Sequence, residues 1–144
     1  MKGQARIFRY NPFLDREPYF EDFEYDYSSG MTVLDVLNQV REKDDPALQY
    51  SYCCRNGHCG VCGVKVNGKE VLACRKSAES NLEIGPLSNV QVLKDLVIDR
   101  EDYGLARPQL RLFLERQCKA ETEPERIDME AFEMFKMASR CIEC

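Results

Sequence analysis

Cys54, Cys59, Cys62 and Cys74 follow the pattern C-x4-C-x2-C-x11-C. That spacing matches the plant-type run that binds a [2Fe–2S] cluster. The chemistry explains the pattern. Each iron takes four sulfurs at tetrahedral corners, and bridging sulfides fill two of them, so the protein must bring two thiolates to each iron. Three thiols come from one tight loop, and the fourth lies beyond an excursion containing Asn67-Gly68. Gly57, Gly60 and Gly63 are expected to give the loop positive φ and close approach, with N–H groups turned towards the sulfurs. Arg55 adds a positive charge nearby. A zinc site is the alternative. Structural zinc usually pairs two short-spaced knuckles, and the third-to-fourth spacing and the glycine density suit a cluster better.

Length and composition bound the rest. A chain of 144 residues holds one modest domain, or a small domain plus a fragment, and a hydrophobic content of 44% is enough for a core. The formal charge of −5 offers no basic stripe for phosphates and argues against nucleic acid. No apolar stretch is long enough to cross a bilayer, and the Met1-Lys2-Gly3-Gln4-Ala5-Arg6 start shows no export region. Eight cysteines in such a chain point to reduced thiols and metal ligation rather than a disulfide framework.

The elements that must position the cysteines can be read in order. Ala5 to Tyr10 reads as a strand, Asn11-Pro12 as a turn, and Tyr19 to Tyr27 as the partner strand, its aromatics and acids alternating over Phe23 to Tyr27. The aromatic stripe suits core packing. Thr32 caps a helix running to about Glu42, with Asp35 in its first turn and Val33, Val36, Leu37 and Val40 on one face. Asp44-Asp45-Pro46 stops it. After the cysteine loop come a strand at Val64 to Val66, the hairpin turn Asn67-Gly68, and a return strand at Glu70 to Leu72. Leu82 to Ile84 and Val90 to Leu93 are further strands, the latter expected to extend towards Val97-Ile98. The order predicts an α+β fold, a β-grasp sheet with a helix packed across it. Beyond about Tyr103 two helices are expected, Pro108 to Cys118 and Ile127 to Ile142. The second carries a packing face of Ile127, Ala131, Met134, Ala138 and Cys141, widened by Phe135 and Ile142.

Tyr10-Asn11-Pro12, Thr32 to Leu37, Asp45 to Leu48, Cys54 to Cys62, Leu72-Ala73-Cys74, Val97-Ile98-Asp99 and Cys141-Ile142-Glu143-Cys144 together resemble the iron–sulfur subunit of the succinate dehydrogenase/fumarate reductase family. The likeness is dense from about residue 5 to 105. It implies a [2Fe–2S] ferredoxin-like β-grasp domain over 1–105, followed over 106–144 by the start of a helical domain. By that resemblance Cys54, Cys59, Cys62 and Cys74 are the cluster ligands. Cys141 and Cys144 resemble the first two cysteines of a [4Fe–4S] motif that is expected to go on with more, whereas the sequence stops at Cys144, as in a shortened chain. Further [4Fe–4S] and [3Fe–4S] clusters would need a longer one. Cys53 stands where the family tends to have serine and reads as a spare thiol. His58 stands where an apolar residue is usual; it is the only histidine, which excludes a Rieske centre. Cys118 reads as a packed helical thiol.

The implied function is a redox relay between a flavoprotein subunit and a quinone or other acceptor, not catalytic alone. A membrane-anchor subunit is a further implied partner. The implied location is cytoplasmic, at the inner membrane face through those partners. No nucleotide-binding glycine fingerprint or nucleophile–base set is present in the sequence. A freestanding ferredoxin and a zinc-stabilised interaction module are the alternatives. The small subunit of a molybdenum hydroxylase fits less well, because its helical part needs a further four-cysteine set and only Cys118, Cys141 and Cys144 remain.

Overall fold

Strand β1 (Lys2–Arg9) turns Gly3, Ala5, Ile7 and Arg9 inward and the residues between them outward or to the half-buried side. This computed structural model describes residues 2–100 and 128–138. β1 pairs along its whole length with antiparallel β2 (Tyr19–Asp26), from Lys2↔Asp26 to Arg9↔Tyr19. Tyr25 is the aromatic of β2 that becomes fully buried. The first strand, expected at Ala5 to Tyr10, starts at Lys2 because pairing with β2 extends it.

Helix α1 (Val33–Lys43) is capped by Thr32, as expected. The Asp35 N–H donates to Thr32 Oγ1 at 3.3 Å, and the Thr32 N–H donates to Asp35 Oδ2 at 2.8 Å. That reciprocal arrangement satisfies two donors at the helix start. Val33, Leu34, Val36, Leu37 and Val40 are buried against the sheet core. Burying each such side chain stabilises the fold by about 1.5–3 kcal/mol.

The second hairpin, β3 (Gly63–Val66) and β4 (Lys69–Leu72), turns on Asn67 and Gly68, both with positive φ (49° and 80°). β5 (Asn81–Gly85) joins the two hairpins, running parallel to β1 and antiparallel to β3. The sheet order is β2-β1-β5-β3-β4, the expected β-grasp arrangement. Asn67 helps to set the register, since its Oδ1 accepts from the Glu83 N–H at 2.8 Å.

One expectation needs correction. Val90 to Leu93 does not extend into Val97-Ile98. β6 (Val92–Lys94) and β7 (Val97–Ile98) instead form a small antiparallel hairpin, because Asp95 takes a positive φ of 48° and reverses the chain. Residues up to Asp99 belong to one compact unit, and helix α2 (Met129–Ala138) belongs to a second. In α2, the Asp128 carboxylate accepts from the N–H groups of Glu130 and Ala131, at 3.1 and 3.2 Å. Ala131, Met134 and Phe135 of the expected packing face are exposed. The helix expected over Pro108 to Cys118, with Cys118, and the residues Ile127, Cys141, Ile142 and Cys144 lie outside the described residues.

Candidate metal centre

The cysteine loop is held at both ends by the fold. On the entry side, Gln49 is gripped by the β6–β7 hairpin: its N–H donates to Asp95 Oδ2 at 2.9 Å, and its carbonyl accepts from the Leu96 N–H at 3.1 Å. Tyr50 and Tyr52 follow, their rings stacked 5.8 Å apart. The Arg41 guanidinium of α1 lies over both, and that of Arg55 lies over Tyr52 at 4.9 Å. Such cation–ring contacts contribute about 0.5–1 kcal/mol each at exposed sites. Hydrogen bonding to Arg41, then to Arg55, holds the Tyr52 hydroxyl below its usual pKa.

On the exit side, the Ala73 N–H donates to the Cys62 carbonyl at 2.9 Å, fixing Cys62 against the end of the second hairpin. The first turn of α1 completes the frame: the N–H groups of Val33 and Leu34 donate to the carbonyls of Lys76 and Ala73, at 2.9 and 3.0 Å. Cys74 therefore sits in a segment bonded to both the helix and the loop.

Within the loop, the backbone turns inward. Cys54 Sγ accepts from the N–H groups of Asn56 at 3.3 Å, His58 at 3.4 Å and Cys59 at 3.4 Å. These donors, in the order Asn56, Cys59, His58, lower the Cys54 thiol to about pKa 6. The turn depends on Arg55, Gly57 and Gly60, at φ 55°, 74° and 73°. A side chain at Gly57 would also meet Arg75, whose Cγ lies 2.8 Å from where its Cβ would be. Gly63 differs from expectation: it begins β3 without positive φ, and its lack of a side chain makes room for Leu87.

The four sequence-predicted thiols are brought together as two neighbouring pairs. The thiols of Cys54 and Cys59 interact at the exposed rim, and those of Cys62 and Cys74 interact in the interior. Burial pushes the Cys62 thiol up to about 11. Among the described residues, no three metal-ligating side chains close on one point. Two pairs are what two irons require, since each iron needs two protein thiolates beside its bridging sulfides. The donor set fits a [2Fe–2S] cluster on that geometry and on the N–H groups already aimed at sulfur. Cys53 is an exposed free thiol next to this set, and the His58 side chain is exposed while its backbone serves Cys54.

Sequence reasoning misses the supports of the loop: Arg9, Asp95, Arg41, Tyr50, Tyr52 and Arg75. Arg9 can be found from the β1 alternation, which puts it in phase with Ala5 and Ile7. Nothing local marks Asp95.

Comparison with known proteins agrees with the geometry. A domain family described as "2Fe-2S iron-sulfur cluster binding domain" matches residues 4–104. The fumarate reductase iron–sulfur subunit of Wolinella succinogenes is 34% identical over 148 residues, covering 96% of this chain and 62% of its own length. One subunit of the fumarate reductase (CoM/CoB) of Methanothermobacter marburgensis is 32% identical over 140 residues, covering 97% of this chain and 28% of its own length. A chain from the Mycobacterium smegmatis Sdh1 complex in the apo form shares the fold, with a TM-score of 0.77 at 22% identity, covering 99% of this chain and 60% of that one. This chain thus spans less than two thirds of each of these relatives.

Proposed function

We propose, for a chain that belongs to the 2Fe-2S iron–sulfur cluster binding domain family, that it is the electron-carrying part of a fumarate reductase/succinate dehydrogenase-type iron–sulfur subunit. Its cofactor is a [2Fe–2S] cluster. Cys54 and Cys59 would hold one iron and Cys62 and Cys74 the other. The observation that carries this reading is the convergence of three backbone N–H groups on Cys54 Sγ.

When bound, the cluster supplies storage for one electron close to the surface. The chain's residues do the rest. The N–H groups of Asn56, His58 and Cys59 stabilise negative charge on sulfur, and burial of Cys62 and Cys74 keeps water from the inner side. The partners in this reading are a flavoprotein subunit and an acceptor or membrane-anchor subunit. In this reading Cys141 and Cys144 are the first two cysteines of a [4Fe–4S] motif. The domain organisation in this reading is 1–105 for the cluster domain and 106–144 for the opening of a helical one. No helix among the described residues is long and apolar enough to cross a membrane. Attachment to a membrane, at its inner face, would come through the partners.

Anaerobic reconstitution followed by iron and sulfide analysis tests the proposal. The expected content is about two irons and two sulfides per chain, with the paramagnetic signal of one binuclear cluster on reduction. One zinc and no sulfide would overturn it. Co-purification with a flavoprotein separates the subunit reading from a freestanding carrier.

A further inference from the structure

Gly57 stands at the tip of the cysteine loop, between Asn56 and His58, whose N–H groups both donate to Cys54 Sγ, at 3.3 and 3.4 Å. At the place where a Gly57 Cβ would lie, the three nearest atoms all belong to Arg75: Cγ at 2.8 Å, Cδ at 2.9 Å and Nε at 3.5 Å. The stem of Arg75 thus fills the space that a side chain at Gly57 would take. Arg75 is an exposed residue, so its charged end stays hydrated while its stem packs on the turn. The base on which Arg75 stands is fixed. Its N–H and that of Lys76 donate to the Leu72 carbonyl, at 2.9 and 3.0 Å, and the Lys76 carbonyl accepts from the Val33 N–H of α1 at 2.9 Å. The turn beneath it needs such support. Arg55 takes a φ of 55°, which a side chain disfavours, and Gly57 and Gly60 follow at 74° and 73°. A conformation of this kind persists where its neighbours over-determine it. Arg55 lies over Tyr52 on the entry side, and the Gly63 N–H donates to the Gly60 carbonyl at 3.1 Å on the exit side. Between these two holds, the stem of Arg75 closes on the tip.

We propose that Arg75 is a positioning residue: through its carbon stem rather than its charge, it holds the Gly57 turn in the shape that aims the Asn56 and His58 N–H groups at Cys54 Sγ. The proposal rests on the cluster reading above. Because Arg75 directly follows Cys74, the same contact ties the segment carrying the fourth thiol to the loop carrying the first. Hydrogen bonds to a cluster sulfur favour the more negative, reduced state and so raise the reduction potential. Loss of the stem therefore lowers the potential by loosening the donors, in addition to any effect of losing the charge.

The test compares Arg75→Met and Arg75→Ala in the full chain. Both lose the charge and only Arg75→Met keeps a stem, so the difference between them reads the stem. Hydrogen–deuterium exchange with mass spectrometry is followed on the peptide spanning Cys54 to Cys62, in metal-free and in reconstituted protein. In Arg75→Ala the amides of this peptide are expected to exchange about tenfold faster than in the wild type, with those of α1 and β3 unchanged. Arg75→Met is expected to stay near the wild type. In the reconstituted samples the midpoint potential of Arg75→Ala is expected to lie below that of Arg75→Met. Equal exchange in Arg75→Ala and the wild type overturns the proposal, as does equal exchange in the two variants. Faster exchange spread over α1 and β3 overturns it as well, because Arg75 then supports the whole fold and not the loop. Equal potentials of the two variants overturn the link to the potential. A wild type that takes up neither iron nor sulfide defeats the cluster reading, and exchange in the metal-free protein still judges Arg75.

Discussion

The Arg9 guanidinium donates through Nε to the Asp95 carboxylate at 3.2 Å, joining the end of the first strand to the turn of the last hairpin. The Arg9 side chain is 10% exposed and that of Asp95 is 2% exposed. Asp95 accepts in addition from the N–H groups of Tyr10 at 3.1 Å and Gln49 at 2.9 Å. Arg9 also pairs with Asp45, and with Glu21 at 2.8 Å. Charges so deep in a protein persist only with their partners in place.

Removing one partner should therefore be expensive. Arg9→Met is expected to destabilise the protein by about 3–5 kcal/mol, because it strands buried Asp95. Asp95→Asn keeps the shape and part of the hydrogen bonding and should cost less. Thermal or urea unfolding of both variants checks the order. Equal stability of Arg9→Met and wild type would show that the pair is not needed.

Acid should act through Asp45. Burial opposes its charge, but the Ala47 N–H and Arg9 outweigh that and hold its pKa below the usual carboxylate value. Its folded-state pKa is thus depressed. The resulting stability is complete above the ordinary carboxylate range and is lost as pH falls through the folded value. Unfolding midpoints measured downward from neutral pH should decline in that acidic window, and less steeply in Asp45→Asn.

The two adjacent thiols should behave differently. Cys54→Ala removes the sulfur on which three N–H groups converge, and is expected to prevent stable cluster assembly. Cys53→Ala is expected to leave the visible absorption and the iron content intact. A colourless Cys53→Ala beside a brown Cys54→Ala would exchange their roles.

In metal-free protein, alkylation should report the same loop. Thiolates react and thiols do not. Cys54, lowered to about 6, should be modified by iodoacetamide with a midpoint near that pH. Cys62, pushed to about 11 and buried, should react last. Peptide mapping after timed labelling across the pH range decides it; simultaneous labelling of both would contradict the described geometry.

His58→Gln isolates side chain from backbone. The N–H that serves Cys54 is retained, so cluster assembly should be normal. Iron and sulfide content and visible absorption equal to those of the wild type are expected, and a colourless variant would show that the side chain, not only the backbone, is needed.

The parts of this protein legible in the sequence are those whose causes are local. Cysteine spacing marks the site, Thr32 and Asp35 mark the helix start, and Asn67-Gly68 marks a hairpin, because each depends on a few neighbouring residues. Asp95 escapes notice because its partners lie at Arg9, Tyr10 and Gln49. Its own neighbours suggest a continuous strand instead. Gly63 reads as a loop glycine because it sits in a glycine-rich run, whereas its constraint is the distant Leu87 side chain. The stacked Tyr50 and Tyr52 look like ordinary strand residues until Arg41, on another element, is placed over them.

Strand β5 lies between β1 and β3 in the sheet, although it is made after both. During synthesis the two hairpins therefore have no seam until Asn81 to Gly85 leaves the ribosome, and the cysteine loop is tethered to only one of them. A nascent chain halted before that point would carry all four cysteines without the frame that gathers them. Non-local pairing of this kind is slow to form. The seam between the two hairpins, and with it the closed sheet behind the loop, therefore waits for β5.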